Sequence, residues 1–218
     1  MAQLFSSSFD FAARAVAAGI LLLITGGVYA AYLLNRSPYW TNVGVELPQP
    51  VPFSHQHHVA ELGIDCRFCH RTVTKAAYAG MPDTLTCMTC HSQVWKDAPM
   101  LAPVRQSYAK NTPLHWNKVN EVPEFVYFNH SIHVAKGVGC SSCHGRVDEM
   151  PITYKPVDFE MQWCLRCHRH PEESLRPQLS QVFQMDWKPT ATPAEAQAIA
   201  TARHIDAEHL SDCSACHR

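Results

Sequence analysis

A pentapeptide, Cys-x-x-Cys-His, occurs five times in this chain, at Cys66 to His70, Cys87 to His91, Cys140 to His144, Cys164 to His168 and Cys213 to His217, and the five copies use all 10 cysteines. The spacing is the attachment signature of c-type haem. Two thioethers bind the porphyrin edge, and the adjacent His is set beneath the iron as its proximal ligand. On this reading the thioether residues are Cys66, Cys69, Cys87, Cys90, Cys140, Cys143, Cys164, Cys167, Cys213 and Cys216. The proximal ligands are His70, His91, His144, His168 and His217, which gives five covalently bound haem c.

Zinc is the main rival reading. Seventeen residues separate Cys69 from Cys87 and 20 separate Cys143 from Cys164, both suited to a zinc ribbon. A fifth pair would then lack a partner, and zinc gives no reason for a His after every pair. A disulfide framework gives none either.

Five porphyrins change what composition means. Taking residues 35–218 as the ordered part leaves 184 residues, or roughly 37 per haem, too few for a separate protein core at each cofactor. Gly and Pro together supply 24 residues, and no strand-like alternation persists. The expectation is mostly short helices and loops around haems, with the porphyrins forming much of the apolar core. The formal charge of −1 and the absence of long like-charge runs argue against a nucleic-acid partner.

Residues 1–36 read as an N-terminal anchor. From Ala15 to Leu34 no residue is charged, and Arg14 and Arg36 flank the run. Twenty apolar residues span a bilayer core as a helix, so a transmembrane helix is expected at about 15–34, in contact with membrane lipid. A buried helix and a cleaved signal peptide are the alternatives; because the chain begins at Met1, the segment is read as retained. The positive-inside rule is undecided here. Haem attachment takes place outside the bacterial cytoplasmic membrane, which puts residues 37–218 on the periplasmic side and the N-terminus in the cytoplasm. Ser37 to Pro52 reads as an extended tether, with Tyr39 and Trp40 suited to the interface.

Residues 37–218 read as a pentahaem domain containing a repeat. Phe53-Ser-His55-Gln-His57-His58-Val59-Ala60 precedes the first motif, and Phe128-Asn-His130-Ser-Ile-His133-Val134-Ala135 precedes the third. The offset is 75 residues through Val-Ala, 74 at the next Cys, and 77 between Cys87 and Cys164. Two dihaem units follow, at 53–91 and 128–168, joined by a linker at 92–127, with a fifth haem in 169–218. Residues three apart share a helix face, so the paired His can reach two neighbouring irons. The expected distal ligands are His55, His58, His130 and His133. His57 lies off that face. Trp95 and Trp116 in the Pro-rich linker are candidate lids over porphyrin, and Thr192-Pro193-Ala-Glu195 predicts a capped helix from about Pro193 to His204.

The fifth haem has no distal ligand supplied by the repeat. Candidates are His209, His115, His204, Met161, Met150 and Met81. A sulfur ligand would raise that haem's potential above its bis-His neighbours.

An iron held by two strong axial ligands has no position for substrate and is confined to one-electron exchange. No motif marks a vacant iron, a carboxylate pair or a nucleophile, so no catalytic site is expected. The stretches PFSHQHHVAELGIDCRFCH, AGMPDTLTCMTCH, PEFVYFNHSIHVAKGVGCSSCHGRVDEM and MQWCLRCHR resemble the pentahaem cytochrome c subunit of alternative complex III, a bacterial quinol:electron-acceptor oxidoreductase. The resemblance implies a multihaem cytochrome c of class III or c7-like duplicated dihaem units plus a transmembrane helix. It also implies an electron-transfer subunit of a respiratory or photosynthetic membrane complex. The implied partners are an iron-sulfur/molybdopterin-like subunit, quinol-interacting membrane subunits and a monohaem cytochrome c, with a copper protein or oxidase downstream. Asn120 departs from the pattern, which would carry His there. Two alternatives remain at this stage: a free-standing membrane-anchored multihaem quinol dehydrogenase, and a scaffold in which the haems chiefly hold the fold.

Overall fold

The computed structural model describes residues 6–217 and divides the chain into two compact units, Met1–Val43 and Gly44–Arg218. In the first unit, α1 (Ser7–Asn35) begins where the Ser6 hydroxyl accepts the Phe9 N–H. The helix therefore starts well before the expected Ala15, because a capping Ser and an Asp10–Arg14 ion pair at 2.9 Å extend it N-terminally. It is long and apolar enough to cross a membrane, and none of its apolar window is buried in protein. Pro38 then opens a single turn, α2 (Pro38–Thr41), where the sequence suggested an extended tether. Tyr39 and Trp40 on it are exposed.

The second unit contains short helices and, among the described residues, no β-strand beyond three isolated bridges. All five attachment motifs lie on short helices: α3 (Cys66–Cys69), α4 (Thr84–His91), α7 (Cys140–His144), α8 (Met161–Arg169) and α11 (Cys213–Cys216). Helical geometry turns both cysteines of each pair to one face. Three further helices support them: α5 (Ala102–Lys110), α9 (Pro193–Ala202) and α10 (Ala207–Leu210).

The second histidine pair lies on α6 (His130–Ala135), while of its counterpart His58 lies on a π-helical turn, Gln56–Glu61, and His55 is the residue that caps that turn. The two are closed in matching ways: Val138 N–H reaches the His133 carbonyl, and Ile64 N–H reaches that of His58. The first loop therefore holds one residue more, which is the step from offset 75 to 74 in the sequence. A wider turn absorbs that residue without rotating the upstream histidines. Gly63 (φ +69) and Gly137 (φ +84) make the same left-handed exit in both units.

Two sequence expectations are corrected here. The linker 92–127 contains α5, because Pro103 falls in the first helical turn, where its missing N–H is harmless. Leu101 and Val104 pack with Val51 into an apolar cluster against which Trp116 lies partly buried, together with Cys87 and Met88 of the second motif. The helix expected over Pro193 to His204 forms with its capping box but ends at Ala202, and His204 turns left-handed at φ +52. Only nine apolar side chains among the described residues are buried. Phe68, Leu85, Ile132 and Met161, all beside motif residues, stay 45–64% exposed, so these segments present apolar surface.

Candidate haem-binding site

The decisive geometry is between imidazoles. His58 and His91 lie 6.2 Å apart between ring centroids, His130 and His144 6.3 Å, and His133 and His168 6.2 Å. Two imidazoles on one metal should stand about 6 Å apart, since each metal–nitrogen bond is about 2 Å and each centroid lies about 1 Å beyond its nitrogen. Each pair joins one His of the repeated Phe-x-His-x-x-His to the His of an attachment motif. By the order of the second segment, His55 and His70 are the remaining imidazoles of the first. His70 is also the first charged neighbour, after burial itself, that lowers the His55 pKa.

Ring orientation fits the same role. Seven imidazoles have Nδ1 at a main-chain carbonyl: His58 at Ser54, His70 at Gly80, His91 at Val94, His130 at Ala77, His133 at Asn129, His168 at Leu210 and His217 at Phe125, all within 2.7–3.2 Å. A carbonyl can only accept, so Nδ1 carries the proton and Nε2 keeps its lone pair for a metal. His55 makes the equivalent contact with Thr153 Oγ1 at 2.8 Å. His57, by contrast, faces the Glu61 carboxylate at 2.7 Å and stacks on Trp95 at 5.7 Å. That contact gives Trp95 a place against His57, where the sequence suggested a lid over porphyrin.

Burial pushes His55 and His144 down to about 4 and lowers His58, His130 and His133 from the usual imidazole value. These rings are therefore neutral and able to donate their lone pairs. Burial likewise pushes the Cys140 and Cys143 thiols up, to about 11 and about 12. All 10 cysteines are free, and among the described residues no three Cys, His, Asp or Glu side chains converge as a zinc site requires. The donor set instead fits haem: paired cysteines on helix faces, imidazole pairs at the span of one iron, and apolar side chains around them.

The fifth motif differs. The ring stacked on His217 is Phe125, at 5.7 Å. His209 has its side chain 86% exposed, with Nδ1 3.8 Å from Asp212; His115 and His204 are exposed too. Met150 is buried beside Gly145 at the third motif, Met81 follows the Gly80 that holds His70, and Met161 is exposed at the start of α8. The Asn120 side-chain oxygen is buried without a hydrogen-bond partner.

Sequence reasoning missed the residues that aim the rings, because all seven carbonyl partners lie in loops or at helix edges and any residue type supplies a carbonyl. It also missed Arg176, 3% exposed, which donates to Ser141 Oγ and lies 3.9 Å over the Trp187 ring.

The site and its short-helix scaffold define a multihaem c-type cytochrome. The sequence profile described as cytochrome c552 matches residues 118–217. A curated relative, the "Menaquinone reductase, multiheme cytochrome c subunit" of Nitratidesulfovibrio vulgaris, is 35% identical over a region covering 55% of this chain and 67% of its own length. The chain belongs to that multihaem cytochrome c family.

Proposed function

We propose that the chain relays electrons through five covalently bound haems as a subunit of a quinol-linked membrane complex. The observation that carries this reading is the set of three imidazole pairs spaced for one iron each. His58, His130 and His133 supply distal ligands to the haems of the second, third and fourth motifs, and His55 to that of the first. Bound haem supplies reversible one-electron chemistry. The residues of this chain hold the irons of the first four motifs from both sides, exclude substrate there and keep the Nδ1 proton away from the metal. α1 anchors the chain in the cytoplasmic membrane, with the haem domain on the periplasmic side.

The motif stretches quoted above support the finer assignment to the alternative complex III type, in which an iron-sulfur subunit passes electrons from quinol into these haems and a monohaem cytochrome, copper protein or oxidase receives them. The name of the relative supports a second direction, with electrons leaving the haems toward menaquinone. The haem pathway is the same in both; the potentials of the partners decide its sense.

A pyridine haemochrome assay should give five haems per chain, and electron paramagnetic resonance should show at least four low-spin ferric haems. Potentiometric titration of the full chain separates the roles. Potentials between those of quinol and acceptor support conduction, whereas potentials outside that range make the haems a scaffold. Reduction of the isolated chain by a quinol analogue would favour a free-standing dehydrogenase.

A further inference from the structure

The geometry points to a spatial order of haems that differs from their order in the chain: 2–1–3–4–5, counted by motif, with haems 2 and 5 as the two ports where electrons enter and leave. This rests on the reading that every motif holds a haem. It adds which haems are neighbours and which face partners.

Haems 1 and 2 are adjacent because Phe53 touches the rings of both their distal ligands, His55 at 4.9 Å and His58 at 4.4 Å. Arg71, directly after His70, also donates to Thr86 Oγ1, directly before Cys87, at 3.2 Å. Haems 3 and 4 are joined in the same way by Phe128, which touches His130 at 4.7 Å and His133 at 4.5 Å.

The two units are crossed at haems 1 and 3. His130, the distal ligand of haem 3, hangs on the Ala77 carbonyl in the loop that leaves haem 1, with Nδ1 at 2.8 Å. Reciprocally, His55 of haem 1 hangs on Thr153 beyond the third motif, and Gln56 N–H reaches the Met150 carbonyl. Each of these two sites is therefore completed by the other unit, and haems 1 and 3 form the centre.

Haem 5 joins at haem 4. The His168 ring of haem 4 donates to the Leu210 carbonyl, three residues before Cys213, at 3.0 Å, and α8 packs on α10. On its other side the fifth motif pairs with the strand-like lead into α6, where Tyr127 N–H reaches the Cys216 carbonyl at 2.9 Å and Val126 bridges His217. Exposure agrees with the order. Of the 10 cysteines only Cys90 and Cys213 are exposed, one in the second motif and one in the fifth, while those of motifs 1, 3 and 4 are all partly covered. One-electron exchange with a partner needs close approach, so a redox centre of a neighbouring subunit docks at an exposed end rather than over haem 3.

Cryo-electron microscopy of the haem-loaded full chain in its membrane assembly tests this directly. The expected result is an iron path 2–1–3–4–5 with the redox centres of neighbouring subunits nearest haems 2 and 5. Haem 5 beside haem 2 or 1, haem 3 at an end, or a partner centre nearest haem 3 overturns it. In solution, His58→Met on the full chain raises the potential of haem 2. The largest secondary shift should then fall on haem 1 and the smallest on haem 5, and the reverse ranking overturns the order. Five low-spin haems in some other order would leave conduction standing and remove only this inference; fewer than five would remove the reading beneath it.

Discussion

The two repeated segments, 53–91 and 128–168, solve one problem with different backbones. Both place a Phe ring against two histidines three residues apart, and both leave the turn through a left-handed Gly. In 128–168 the histidines ride on an ordinary α-helical turn, and in 53–91 His55 caps and His58 rides on a π-helical one, with one additional residue before its closing hydrogen bond. The imidazole spacing survives this change, 6.2 Å in the first unit against 6.3 and 6.2 Å in the second. The spacing between facing imidazoles is thus what the two segments share, and helix type is what gives way.

Four experiments press on that comparison. The largest effect is expected from removing a ligand: His130→Ala or His55→Ala should each turn one low-spin iron high-spin and open it to carbon monoxide, read from the absorption spectrum of the reduced chain. Equal behaviour of the two variants supports equivalence of the units; no carbon monoxide binding in either would show that these rings are not axial ligands.

Next in size are single-residue deletions. Removing Lys136 from the second unit leaves no spare residue, drags His133 off its iron, and should cost more than about 4 kcal/mol in denaturant unfolding. Removing Glu61 should convert the π turn to an α turn and cost under about 1 kcal/mol. If both deletions are equally costly, the π turn is not the site of the insertion.

The glycines should differ as well. A Cβ at Gly137 would run into the Arg203 guanidinium, while at Gly63 nothing stands within 4 Å. Gly63→Ala should cost about 1–2 kcal/mol from the left-handed backbone alone. Gly137→Ala should add about 1–3 kcal/mol for overpacking.

The smallest effect belongs to the tethers. Thr153→Val removes the side-chain partner of His55 and should cost about 0.5–1.5 kcal/mol, with a modest change in the potential of the first haem. The corresponding tether of His130 is the Ala77 carbonyl, so no side-chain substitution at position 77 should remove it. An Ala77→Val variant that frees His130 would contradict that.

Much of the site was legible because it is written in local covalent pattern. Cys-x-x-Cys-His places two sulfurs on one helix face with an imidazole directly after them, and His-x-x-His places two rings on one face, whatever the rest of the chain does. The one-residue slip between repeats was visible as an offset, though not its structural form. Helix α5 was obscured because Pro99 and Pro103 read as breakers until their positions at helix starts were known. The distal partner of the fifth haem was legible neither as a repeat nor as a His whose Nδ1 meets a carbonyl.

The amino-acid sequence alone determined the five Cys-x-x-Cys-His motifs, the spacing of cysteine and imidazole within each, and which four further histidines recur in the repeat, because all of these depend on residues within a few positions of one another. Which histidine faces which motif, the crossing of the two units at Ala77 and Thr153, and the docking of the fifth motif on Leu210 were decided only in three dimensions. Those contacts join residues 42–98 positions apart. They run through carbonyls and hydroxyls that carry no signature in the sequence, so only the folded chain brings them together.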